Sequence, residues 1–197
     1  MFDTIYAIVF RYARFAVWAG GAMMLFAAFM VSADVLVRRL LGITMGGSDE
    51  ISGYLFAIST ALAFPYALLH RANVRIDALY SHFPSRLRVV LDIFGITVLG
   101  VFAGAVTWRA GLSVLVTWEN GSRAITPLQT PLIVPQAFWF AGWLLFCVCL
   151  GLVLYGMISA TLRGDLAKGN ALGGTLSLDE EIAEETAAHT LMTVKEY

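Results

Sequence analysis

The side chains able to do chemistry are few, and they are poorly placed for it. Cys147 and Cys149 share one apolar run, do not form a CxxC pair, and have no histidine nearby. Neither a zinc site nor a disulfide framework follows from them, and they read as small apolar fillers. His70 and His82 lie in a polar stretch mid-chain and His189 in a polar tail. A haem-carrying membrane helix needs its axial ligands within the apolar segment instead. Ser32, Ser52 and Ser59 have no embedded histidine to activate them as nucleophiles. Acids and bases at membrane depth mark ion or proton pathways. Residues 15–33, 51–69, 93–108 and 124–162 hold no charged residue at all, and Arg109 reads as the one charge inside a longer apolar stretch. No cofactor, metal or catalytic residue is expected. A chain so silent on its own reads as the partner of something that does the work.

The elements that must carry these residues follow from composition. Of 197 residues, 59% are hydrophobic and 14% charged, against about a quarter charged in ordinary soluble domains. That balance fits a chain whose solvent is partly lipid. The formal net charge of -1 leaves no basic footprint for nucleic acid. A helix crosses the hydrocarbon layer with about 20 apolar residues. The pattern predicts an all-α integral membrane protein of four transmembrane helices, over about 13–37, 50–69, 87–118 and 135–159. Residues 1–163 form the membrane domain and 164–197 a polar, acidic cytoplasmic tail. The first apolar run exceeds the roughly 7–15 residues of a signal peptide's core, so it is expected to stay as a span. The third span, at about 1.5 Å per residue, outreaches a membrane core of about 30 Å and is expected to tilt or protrude.

Orientation is read from Lys and Arg beside the spans. Arg11, Arg14, Arg71, Arg75, Arg86, Arg88, Arg163 and Lys168 fall on one side; Arg38, Arg39, Arg109 and Arg123 fall on the other. The bias places both termini and the middle loop in the cytoplasm. Arg109 reads as a snorkelling side chain beside Trp108, or as a contact with a partner's carboxylate or lipid headgroups. Gly100 and Gly104 on the third span, and Ala57 and Ala61 on the second, are spaced for close helix contact within the chain or with a partner. Ser48 is placed to cap the second span, with Asp49 and Glu50 in its first turn suiting the positive end of the helix dipole. Pro65 should kink that span near Ala61. The second span is followed by His70-Arg71-Ala72-Asn73-Val74-Arg75-Ile76-Asp77, and later by Pro84, Arg86 and Arg88. These alternating apolar and charged residues suit a basic loop lying along the membrane surface. In the tail, Asp179, Glu180, Glu181, Glu184 and Glu185 cluster behind a glycine-bearing hinge and read as a solvated segment.

From Asp49 to Arg88 the sequence resembles the small integral-membrane subunit of tripartite ATP-independent periplasmic (TRAP) transporters, the DctQ-like family. The resemblance rests on Asp49-Glu50 opening the second span, then Val74-Arg75-Ile76-Asp77, Pro84, Arg86 and Arg88 in the family's order. Thr126-Pro127 through Pro135 resemble its proline-bearing approach to the fourth span. Asn73 departs from a frequent histidine, and Pro65 from an expected glycine or alanine. The resemblance implies a non-enzymatic subunit of a bacterial inner membrane. It implies a large membrane subunit and a periplasmic solute-binding protein as partners, with organic acids taken up on a sodium gradient that the large subunit uses. Asp49, Glu50, Arg75, Asp77 and Arg109 are the expected subunit or lipid contacts. The rival readings are a membrane anchor of a redox or other enzyme complex and a stand-alone small transporter; the dearth of embedded histidines and carboxylates counts against each.

Overall fold

The computed structural model describes residues 2–44, 46–71 and 84–164, together with residue 186. Arg75, Asp77 and the acidic tail lie outside the described residues. The rest forms four helices: α1 (Phe2–Leu41), α2 (Ser48–Leu69), α3 (Ser85–Asn120) and α4 (Ile133–Leu162). All four are long and apolar enough to cross a membrane.

The helix ends follow local chemistry. α1 runs to Leu41, placing Arg38 and Arg39 in its last turn, where the negative end of the dipole favours them. Gly42 then adopts a left-handed conformation and its N–H bonds the Arg38 carbonyl at 3.1 Å. Ser48 does not cap α2, because the cap position is taken by Gly47, which makes no side-chain cap bond. The acids do stand in the first turn as expected. α3 starts directly after Pro84 and ends in a Schellman turn: Gly121 is left-handed, its N–H bonds the Trp118 carbonyl, and the Ser122 N–H reaches the Thr117 carbonyl at 3.2 Å. α4 begins at Ile133, two residues before Pro135. Proline is tolerated there because first-turn N–H groups have no partner within the helix.

The helices do not close into a bundle. α2 packs on α1, α4 packs on α2, and α3 packs on α4, while α1 meets α4 only lightly. The order in space is therefore α1–α2–α4–α3, an open row. Its core gathers toward the end where α1 begins: Ala13, Leu68, Leu69, Ile96 and Ala103 pack with Phe146, Cys149, Leu150, Val153 and Met157. Rings extend this core along the α2/α4 seam, with Phe64 meeting Trp143 edge-on at 5.5 Å and Phe146 at 5.5 Å.

Lipid gives helices little hydrophobic reason to associate, so close backbone approach must carry much of the attraction. Two seams show it. Gly20 of α1 lies against Ser59, where a Cβ would come within 3.1 Å of the Ser59 carbonyl oxygen. Gly142 of α4 lies against Ala61, where a Cβ would meet the Ala61 Cβ at 2.8 Å and its carbonyl carbon at 2.9 Å. Ala61 sits four residues before Pro65, which has no N–H to give its carbonyl. The glycine face of α4 thus covers the acceptor that the proline leaves open, and α2 continues as helix through Pro65 to Leu69. Gly100 and Gly104 take no part in the intrachain packing, since a Cβ on either would meet nothing within 4 Å.

Hydroxyls within the spans are satisfied locally. Ser59, Thr60, Thr97, Thr107, Ser113 and Thr161 each donate to the carbonyl one turn earlier, which removes a donor that lipid could not pair. Thr107 also meets the Cys147 Sγ at 3.1 Å. With the hydroxyl hydrogen given to Ala103, the thiol is left to donate. Cys147 therefore links α3 to α4, which a reading as mere filler had missed, while the buried Cys149 does fill the core.

Gly142→Ala is expected to force α2 and α4 apart and destabilise the chain by about 1–3 kcal/mol. Gly104→Ala, with open space around it, should be neutral or slightly stabilising through its higher helix propensity, by up to about 1 kcal/mol. Thermal unfolding in one detergent, followed by loss of monodisperse protein, compares the two.

Candidate partner interface

The end of the row remote from the start of α1 carries its polar structure. Asp34, 4% exposed, sits on α1 two turns before that helix ends. Its Oδ2 accepts the Ser48 hydroxyl at 3.0 Å and its Oδ1 the Thr44 hydroxyl at 3.3 Å. Thr44 Oγ1 in turn accepts the Gly46 N–H. One carboxylate thus holds the end of α1, the connecting turn and the first residue of α2. Ser48, expected as a cap, serves this clamp instead.

A second polar group lies beside it. Glu50 Oε1 accepts the Tyr54 hydroxyl at 2.9 Å. The Thr126 and Thr130 hydroxyls of the α3–α4 loop face the same carboxylate, although Thr126 closes no hydrogen bond by distance and angle among the described residues. That loop is folded by its own backbone: the Ala124 N–H bonds the Thr130 carbonyl and the Leu132 N–H the Ser122 carbonyl. Its Leu128 side chain occupies the place a Cβ on Gly47 would take. Glycine at 47 is what allows the loop to seat on the start of α2.

The residues expected to meet a partner are not brought together. Asp49 is exposed and Glu50 half-buried at the start of α2, while exposed Arg109 lies on α3 with α4 between them. Arg75 and Asp77 lie outside the described residues. The reading of Arg109 as the one charge within the apolar stretches needs correction. α1 extends past Asp34 and α3 starts before Asp92, so both carboxylates belong to helices, and Asp92 is 2% exposed. The available signal was spacing: Asp34 and Arg38, and Arg88 and Asp92, stand four apart, as partners on one helix face do. Both acids lie near helix ends; the middles of α1, α2 and α4 hold no charged residue, and Arg109 stands inside α3.

What the row offers a partner is therefore mostly apolar. Trp18 is 76% exposed, Phe29 74%, Val101 70% and Trp108 71%. Because the row is one helix deep, each span turns a broad side outward, and a second protein can lie along it without disturbing the core.

Residues 27–160 match the family model described as tripartite ATP-independent periplasmic transporters, DctQ component. The match takes in the later part of α1, the whole of α2 and α3, and α4 as far as Ala160. Comparison with curated proteins and with solved structures gives no match.

Asp34→Ala leaves the Ser48 and Thr44 hydroxyls without their acceptor and should cost about 1–3 kcal/mol. The loss should be local, so limited proteolysis is expected to cut the variant faster at residues 42–47 while the Gly142 seam stays protected. An unchanged cleavage pattern would show that the carboxylate does not hold the turn.

Proposed function

The chain belongs to the DctQ family, the small membrane component of tripartite ATP-independent periplasmic transporters, and from that premise we propose that it scaffolds the large transporting subunit. In this reading the complex sits in a bacterial inner membrane. A periplasmic binding protein delivers an organic acid, and the large subunit moves it inward on the sodium gradient. The chain itself carries neither solute nor ion. Both termini lie in the cytoplasm, as the bias of Arg11, Arg14, Arg71, Arg86, Arg88 and Arg163 toward that end favours.

The observation that supports a passive role is the open row itself. A transporter that works alone needs an enclosed polar path between helices, whereas these helices pack side by side and α1, α2 and α4 carry no charge at mid-span. Such a row adds breadth and lipid-facing area to a partner that must change shape, and so holds the partner's static part against the membrane. Asp34 and Glu50 serve this role indirectly by fastening the remote end of the row. Asp49 and Arg109, exposed on separate helices, are the charges we assign to partner or lipid contact, together with Arg75 and Asp77 of the middle loop.

The test is purification of the tagged chain in mild detergent from its native membrane. A large polytopic membrane protein should come with it in near-equal amount. Arg75→Glu should reduce that co-purification markedly while leaving insertion of the chain unchanged. Equal recovery of the large subunit with the variant would remove Arg75 from the interface. Recovery of the chain alone from native membrane would remove the scaffold reading itself.

A further inference from the structure

Between α3 and α4 runs an apolar groove of about 590 Å³. Gly104 and Gly111 form part of its α3 side, Trp108 and Leu115 stand beside them, and Phe140 and Leu144 come from α4. We infer that this groove holds one acyl chain of a phospholipid with an amine headgroup, of the phosphatidylethanolamine type. The inference needs only that the chain is embedded in a bilayer, and so it stands apart from the transporter reading.

Three features point to this occupant. The first is depth. From Gly104 to Leu115 the groove follows α3 for roughly 16 Å at about 1.5 Å per residue, close to half of the ~30 Å hydrocarbon layer. It is one leaflet long. The second is its lining. The polar share is almost nil, since Thr107 donates its hydroxyl to the Ala103 carbonyl and its oxygen faces the Cys147 thiol. An acyl chain asks for no hydrogen bond in return. The volume also lies within the roughly 300–1,000 Å³ of small-molecule sites.

The third feature is charge at the mouth. On α3, Trp108, Leu112 and Leu115 line the groove at helical spacing, and the next residue of that stripe is Glu119, exposed in the last turn. On α4, Phe140, Leu144 and Cys147 line it, and the residue one turn outward on that stripe is Gln136. The stripes therefore run out to a carboxylate and an amide. Arg109 is one residue off the α3 stripe, and Arg123 leans on the Gln129 carbonyl at 3.4 Å. An ammonium headgroup complements Glu119, whereas an anionic headgroup meets a like charge.

The experiment uses the full chain in nanodiscs made from equal parts phosphatidylethanolamine, phosphatidylglycerol and phosphatidylcholine, released for native mass spectrometry. The expected result is a one-to-one lipid adduct enriched in phosphatidylethanolamine. Gly104→Leu puts a branched side chain into the groove at a position where a Cβ itself meets nothing within 4 Å, and should cut the adduct about tenfold. Glu119→Lys should keep the adduct and lose or reverse the headgroup preference. A second measurement leaves Gly104 in place. Phosphatidylethanolamine brominated along its acyl chain should quench fluorescence that disappears in Trp108→Phe, more strongly than the brominated glycerol lipid does. Adducts that mirror the bulk mixture and ignore Gly104→Leu would overturn the inference, as would enrichment of phosphatidylglycerol. If Gly104→Leu instead abolished co-purification of a membrane protein and left the lipid adduct intact, the groove would belong to a partner's helix and the inference would fail.

Discussion

Everything in this row of helices depends on how two backbones meet at Gly142 and Ala61. In water, Phe64, Trp143 and Phe146 would pull α2 and α4 together simply by leaving solvent. In lipid those rings gain little by meeting each other rather than an acyl chain. What lipid cannot supply is an interaction with the carbonyl that Pro65 leaves without its helical donor, or the dense contact of two helices with no Cβ between them. A glycine face opposite a proline-freed carbonyl supplies the dense contact and covers that carbonyl. α4 then stands at the right distance for the ring cluster, for Thr107 to reach Cys147, and for α3 to take its place at the outside of the row. Gly20 against Ser59 does the same for α1.

The two ends of the row are held by different physics. Where α1 begins, apolar side chains from all four helices share one core, and Met157 and Cys149 are fully covered. At the other end the helices are tied by oxygen atoms. Asp34 is expensive to bury, and its position is tolerable because two hydroxyls from the next turn and helix pay that desolvation back. Glu50 is met by Tyr54 and faced by the α3–α4 loop. Such bonds are directional, so they fix the angle at which α1 enters α2 in a way that sliding apolar surfaces do not.

Much of this architecture was legible in the sequence, because hydropathy reports what the solvent around each segment must be. Four apolar stretches became four helices, and Asp49 and Glu50 opened α2 as dipole logic requires. What escaped was whatever depends on which face of a helix its neighbours cover. The expected spans over 13–37 and 87–118 take in Asp34 and Asp92, but hydropathy does not say that both carboxylates are buried. Ser48 escaped because a cap and a tertiary acceptor compete for the same hydroxyl, and only the position of α1 decides between them. The GxxxG pair was visible, but its emptiness was not: residue spacing says that a backbone can come close, not whether one does. The contact that does form at Gly142 has phenylalanine, not a small residue, four positions to either side, so no motif announces it.

An open row also explains why a subunit of this kind can be rigid and still be a good neighbour. A closed four-helix bundle hides its small residues inside and turns large ones outward, so a partner finds only bulk. Here the pairwise seams use Gly20, Ser59, Ala61 and Gly142 and leave Gly100 and Gly104 uncovered on α3. A lipid or a helix can approach that face closely without breaking any contact that holds the chain together. Stability and association are thereby assigned to different glycines. A change at one set alters the fold, and a change at the other alters what lies against it, so the two properties can be varied independently.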